Sequence, residues 1–292
     1  MVGLGDKRGY LSDWLTQVWV RATGRNIKLA DQTWLDGPVG SPRGIGNQFF
    51  AYYARARGLD VVQDGIRGLI PDFAQLELRN AGGVASEVRQ FYEHTSEYEL
   101  DAWSDWSGFF TPFGRTLALL FSRRLQQLNV PLSPLDSSKG MSSVVLQLRD
   151  PRSGAVQTAW VRELHATSNT YAGSYSICRV PGYELPCVKV VFPLPNGNAI
   201  VLMKPEVHPD GSFSVTSAGR RFGEAGFYFV LHLRASAACA RYVPSLRESI
   251  RVYPAEGTTV RADHVFWIWG LRFLRLHYRM RFVGKTQLMS VS

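Results

Sequence analysis

The spacing of apolar positions changes part-way along the chain. In the first 134 residues it is helical. Leu11, Trp14, Leu15, Val18 and Trp19 stand at i, i+3, i+4, i+7 and i+8, which predicts a helix over 11–21 with one apolar stripe and a stop at Gly24. A Gly/Pro-rich stretch over 36–46 reads as loop, and a second helix is predicted over about 47–57, ended by Gly58. A short helix follows Pro71-Asp72 and another covers 84–94. The most regular helical pattern comes next. Thr111 can cap it, Pro112 fits its first turn, and Leu117, Leu120, Phe121, Leu125 and Leu128 form its apolar face up to Asn129 and Pro131.

After Pro134 the period shortens to two and the segments become short, β-branched and aromatic. Strands are predicted at 144–149, 156–166, 171–180, 187–192, 199–204, 212–217, 227–234, 246–253, 260–267 and 273–282. Asn196-Gly197 and Asp210-Gly211 are hairpin signals. Strands joined this way make an antiparallel meander, and that many tend to curl into a barrel-like or strongly bent sheet. The expected fold class is therefore α+β: a mainly helical segment, 1–134, packed on a large antiparallel β domain, 135–292. With no flexible linker near Leu135, the two are expected to form one composite unit.

Composition supports a sizeable core, since 45% of the 292 residues are apolar and 12% aromatic. The net charge of +9 favours anionic partners such as acidic ligands or anionic lipid. That charge is uneven. Residues 241–292 carry nine Lys or Arg against three acids, while 84–110 carry six acids against Arg89 alone. The simplest expectation is that the two segments lie together and neutralise each other. Three cysteines are too few for a disulfide scaffold, although Cys178 and Cys187 flank a predicted hairpin loop and can face each other. The chain starts without a signal-peptide pattern, and no apolar run reaches the roughly 18 residues that span a bilayer. A reducing, cytoplasmic location is the default expectation.

Candidate chemistry is sparse. On the last strand Leu274, Leu276, Tyr278, Met280 and Phe282 share one face, and Arg275, His277, Arg279 and Arg281 the other. Such a cationic row is either a solvated outer face or an anion-recognition row at a cavity mouth, which Arg251 and Arg247 would extend. His165 is the best acid–base candidate, because Glu163 lies two residues earlier on the same pleat face and Tyr171 or Tyr175 stands on the next strand. The acidic, aromatic stretch 92–106 reads as a helix end with buried Trp103 and Trp106, more readily than as paired carboxylates of a carbohydrate site. The six histidines form no metal-ligand spacing, and no cofactor motif is present: Gly44-Ile-Gly46 lacks the third glycine of a dinucleotide turn. Nothing beyond charge points to nucleic acid.

Three readings remain. The first is non-enzymatic binding of a hydrophobic or amphipathic acidic ligand in a cavity of the sheet, met by Arg251, Arg275, His277 or Arg279. The second is an enzyme using His165, Glu163 and Tyr171. The third is peripheral association with anionic membrane lipid through the Arg-rich C-terminal region and Trp267 or Trp269.

Overall fold

Period-two sequence forms strands in the second half as expected, and the first half contributes strands of its own. The computed structural model describes residues 11–40, 48–62, 65, 67–108, 141–164, 169–233 and 236–284. In chain order the strands are β1 (Arg25–Lys28), β2 (Asp60–Val62), β3 (Tyr98–Trp106), β4 (Met141–Arg149), β5 (Val156–Leu164), β6 (Asn169–Cys178) and β7 (Cys187–Leu194). They continue as β8 (Gly197–Val207), β9 (Phe213–Thr216), β10 (Gly226–His232), β11 (Ala237–Val243), β12 (Leu246–Pro254), β13 (Thr259–Ile268) and β14 (Leu271–Phe282). Among the described residues α-helices are few and short: α1 (Leu11–Thr23), α2 (Phe49–Arg57) and α3 (Ser86–Glu93). The expected helical half is thereby corrected to a mostly β protein. The helix expected after Thr111 lies outside the described residues.

All fourteen strands belong to one antiparallel sheet in the order β2-β4-β5-β6-β7-β8-β9-β12-β13-β14-β3, with β10, β11 and β1 branching from β8. The described path is open, with β2 and β3 at its ends, rather than closed into a barrel. The branch explains the shape. Along one edge β8 pairs with β10 over Gly197–Leu202 and with β9 over Lys204–Val207. One wall therefore continues through β10 and the other through β9. Their inner faces meet in a cluster that includes Val188, Val201, Met203, Phe213, Val252, Val260 and Met280. Helix α3 adds Phe91 and Tyr92 to this cluster.

Turn chemistry is local and specific. Gly58 ends α2 in the left-handed region at φ 65, as its position predicts. Between β7 and β8 the loop residues are Pro195 and Asn196, with Asn196 at φ 60, and Gly197 begins the next strand. Gly197 is needed for close approach: a Cβ there would lie 2.0 Å from the Val230 carbonyl oxygen of β10.

Two apolar patterns are used differently from expectation. Helix α1 turns Asp13, Gln17 and Val20 inward, while Trp14 and Leu15 are 47% and 54% exposed. The polar side is buried because Gln17 hydrogen-bonds Pro195 and Asn196 in the β7–β8 turn. The acidic stretch after Tyr98 is a strand rather than a helix end, and Trp103 is exposed, stacked on His277 at 5.4 Å. That strand, β3, pairs with β14, setting Asp101 opposite Arg279 and Glu99 opposite Arg281. The acidic and basic segments do neutralise each other, through pairs at 2.7 and 2.8 Å. Exposed pairs of this kind contribute roughly 0.2–1 kcal/mol each, so they set register more than stability.

Substituting Gly197→Ala is expected to destabilise the protein by on the order of 2–4 kcal/mol, since backbone rather than a flexible side chain must move. Urea unfolding would read this as a lower midpoint, and an unchanged midpoint would refute the role given to the β8–β10 approach.

Candidate functional site

Between the two walls lies a cavity of about 350 Å³. Its lining is almost wholly apolar, and the exceptions converge from five strands and one helix: Arg162 of β5, Tyr175 of β6, Glu248 of β12, His264 of β13, Tyr278 of β14 and Tyr92 of α3. The strand residues reach the cavity by alternation. On β12 Leu246, Glu248, Ile250 and Val252 point inward together, and on β13 Ala262, His264, Phe266 and Ile268 do the same.

Arg162 is the most unusual of these groups. It is 5% exposed, and its guanidinium lies 4.1 Å from the centroid of the Trp160 ring. Trp160 is itself held by a hydrogen bond from its indole N–H to Ser143 Oγ at 2.7 Å. Among the described residues Arg162 contacts no carboxylate, and its buried Nε has no hydrogen-bond partner. Cation–π attraction offsets part of the desolvation, about 2 kcal/mol for a buried pair. Burial of a charge costs several kcal/mol, so an unmet demand for an anion remains.

The other polar groups frame that cation. Burial raises the pKa of Tyr175, and the nearby Arg162 charge opposes it. Burial likewise pushes Tyr278 up to about 12, again against Arg162. Glu248 acts on both phenols in the raising direction, so cation and carboxylate flank the same two hydroxyls. Glu248 Oε2 lies 2.7 Å from His264 Nε2, with Glu248 buried and His264 half-buried. The imidazole packs on Phe266 with centroids 4.0 Å apart. The arrangement offers a planar multi-donor cation, two neutral phenols and a carboxylate–imidazole pair around an apolar space. It suits a ligand with one acidic end and a hydrophobic body.

The basic residues singled out from sequence lie elsewhere. Arg251 bonds Asp210 at 2.6 Å and Ser212 at 2.8 Å. Arg275 and His277 share Asp263 at 2.8 and 2.7 Å, and Arg279 bonds Asp101. None of the four lines the cavity; the row is the outer face of the wall, where carboxylates of β3 and β13 meet it. His165 and the side chains of Glu163 and Tyr171 lie outside the described residues. Cys178 and Cys187 stand directly opposite each other on β6 and β7 as free thiols. Burial, reinforced by Cys178, raises Cys187 to about 12, which keeps it protonated and unreactive. Among the described residues no group of three or more His, Cys, Asp or Glu side chains could hold a metal.

Glu248, His264 and Tyr278 had a signal in the sequence: each is one polar residue on an otherwise apolar strand face. Arg162 had none, because both faces of β5 are buried, Ala159 and Val161 on one side and Thr158, Trp160 and Arg162 on the other.

Over 226 residues the chain is 26% identical to "Uncharacterized membrane protein YndJ" of Bacillus subtilis (strain 168). The match covers 75% of this chain and 39% of that protein, so the chain spans well under half the length of this relative. No family model matches, and no solved structure matches. Among the described residues no helix is long and apolar enough to cross a membrane.

The raised pKa of Tyr278 has a definite sign in stability. Its contribution is complete below the ordinary tyrosine value of 10.0 and is lost as pH rises toward about 12, because the unfolded chain gives up the phenolic proton first. Urea midpoints measured up an alkaline series are expected to begin falling near pH 9, where the buried Cys187 thiol starts to titrate in the unfolded chain, and to fall more steeply above pH 10. The fall should be shallower in Tyr278→Phe, and identical curves would contradict burial of this hydroxyl.

Proposed function

We propose that this chain binds a small hydrophobic or amphipathic ligand in the cavity between the two walls, with an acidic head group on Arg162. The observation that carries this reading is a buried guanidinium that, among the described residues, contacts no carboxylate and that lines an apolar space. A carboxylate or phosphate there would neutralise the guanidinium, and Tyr175 and Tyr278, whose hydroxyls accept hydrogen bonds from Arg162, would donate their own hydrogens to the same anion. The volume lies at the small end of the range for small-molecule sites. The printed name of the relative places that protein in a membrane, which supports a lipid-like ligand in this one.

Native mass spectrometry of purified protein, followed by organic extraction, tests the reading. The expected result is an extra mass released as an organic acid or phosphate ester, absent from Arg162→Met. That variant should keep or raise the urea midpoint, because replacing a buried charge by an apolar side chain of similar volume is neutral or stabilising by about 1–4 kcal/mol. A wild-type protein that carries no such mass and ignores added medium-chain fatty acid would sink the proposal.

The Glu248–His264 pair favours a second reading, acid–base catalysis on the bound ligand. It replaces His165 and Glu163 by a dyad whose contact is 2.7 Å and which faces the cavity. Under this reading wild-type protein converts the extracted compound to a product of different mass on incubation. Glu248→Gln would bind the compound and leave it unchanged. Binding without any chemical change in the wild type excludes the enzyme.

A further inference from the structure

The β13–β14 hairpin ends in a two-residue turn, Trp269-Gly270, between the paired residues Ile268 and Leu271. Both turn residues have positive φ, 49° for Trp269 and 82° for Gly270. Such a turn favours Asn-Gly, and a bulky aromatic in the left-handed region is an outlier. The ring gains no burial in return: Trp269 is 76% exposed and Leu271 60%. A position whose local preference is Asn instead presents an indole to the surroundings, next to a second large apolar side chain.

Charge around the tip differs from the rest of the wall. Arg247 of β12 and Arg272 of β14 are the register partners of Trp267 on either side, and both are exposed. Neither has an ion pair among the described residues, whereas Arg275, Arg279 and Arg281 further along β14 all do. Arg261 at the opposite end of β13 is likewise exposed without an ion pair among the described residues, but only at the tip do two such arginines adjoin the exposed Trp269 and Leu271.

We propose that this hairpin tip docks the protein on an anionic lipid surface. Trp269 and Leu271 enter the headgroup region, where an indole with an apolar body and an N–H donor is at home. Arg247 and Arg272 meet lipid phosphates. The residues just inboard of the tip, Ile268 and Phe273, line the cavity, so docking sets that end of the cavity against the bilayer. The anchor is independent of what the cavity holds.

The test is co-sedimentation of the full chain with phosphatidylcholine vesicles, with and without a phosphatidylglycerol fraction, at low and high salt. Wild-type protein is expected to partition onto the anionic vesicles and to be released by salt. Trp269→Asn should lower the partition coefficient on the order of tenfold. Its urea midpoint should hold or rise, because Asn-Gly suits the turn. Arg247→Gln with Arg272→Gln should lower partition by about fivefold per arginine at low salt. Absence of wild-type binding, binding indifferent to lipid charge, or partition unchanged in both variants would overturn the proposal. So would a Trp269→Asn protein that loses stability but not vesicle binding, which would show that the indole packs against protein rather than lipid.

Discussion

One strand serves two walls, and the rest of the molecule follows from that. A strand has two edges, and β8 gives one of them to β7 and divides the other between β10 and β9. Since β10 and β9 cannot occupy the same line, the sheet separates near Met203 and folds over itself. The first seven residues of β8 are buried, which is why Ala199–Met203 is a continuous apolar run rather than an alternation. Gly197 lets β10 come close enough to pair, and the space between the diverging walls becomes the cavity.

That geometry sorts charged side chains into two populations with different energetics. Outside, β3 and β14 present acids against bases across rungs, solvated and individually worth little. Inside, Arg162 and Glu248 have been taken out of water: Glu248 contacts His264, while Arg162 meets the Trp160 ring and, among the described residues, no carboxylate. Folding gains little from a buried cation of this kind, so its presence is better explained by what it binds than by what it stabilises. The neighbouring phenols stay neutral over a wide pH range because burial outweighs the arginine's field.

Apolar surface is distributed with the same selectivity. Helix α1 directs Trp14 and Leu15 outward because the β7–β8 turn needs the hydrogen bonds of Gln17, and Trp19 bridges to Phe229 on the cavity lining. At the far hairpin Trp269 and Leu271 are exposed above Ile268 and Phe273, which line the same cavity. Trp19 and Trp269 therefore both neighbour residues that line the interior space.

Period and turn chemistry determined most of the strand set from sequence alone, because alternation and Gly, Asn or Asp turns act within a few residues. The signal failed where it was weak or shared. The alanine-rich β11 has a single β-branched residue, Val243 at its end, and β1, β2 and β3 come from a half whose spacing looked helical. The facing of Cys178 and Cys187 and the neutralisation of the two charged segments were legible for the same local reasons. The interior site was not. Which face of β14 is inner depends on whether β3 or another strand covers its edge, and which side of β5 receives Arg162 depends on a wall more than eighty residues away in sequence. Local sequence sets alternation; only the fold of β8 decides which of two buried or charged faces meets the cavity, because that is settled by long-range pairing rather than by any neighbour along the chain.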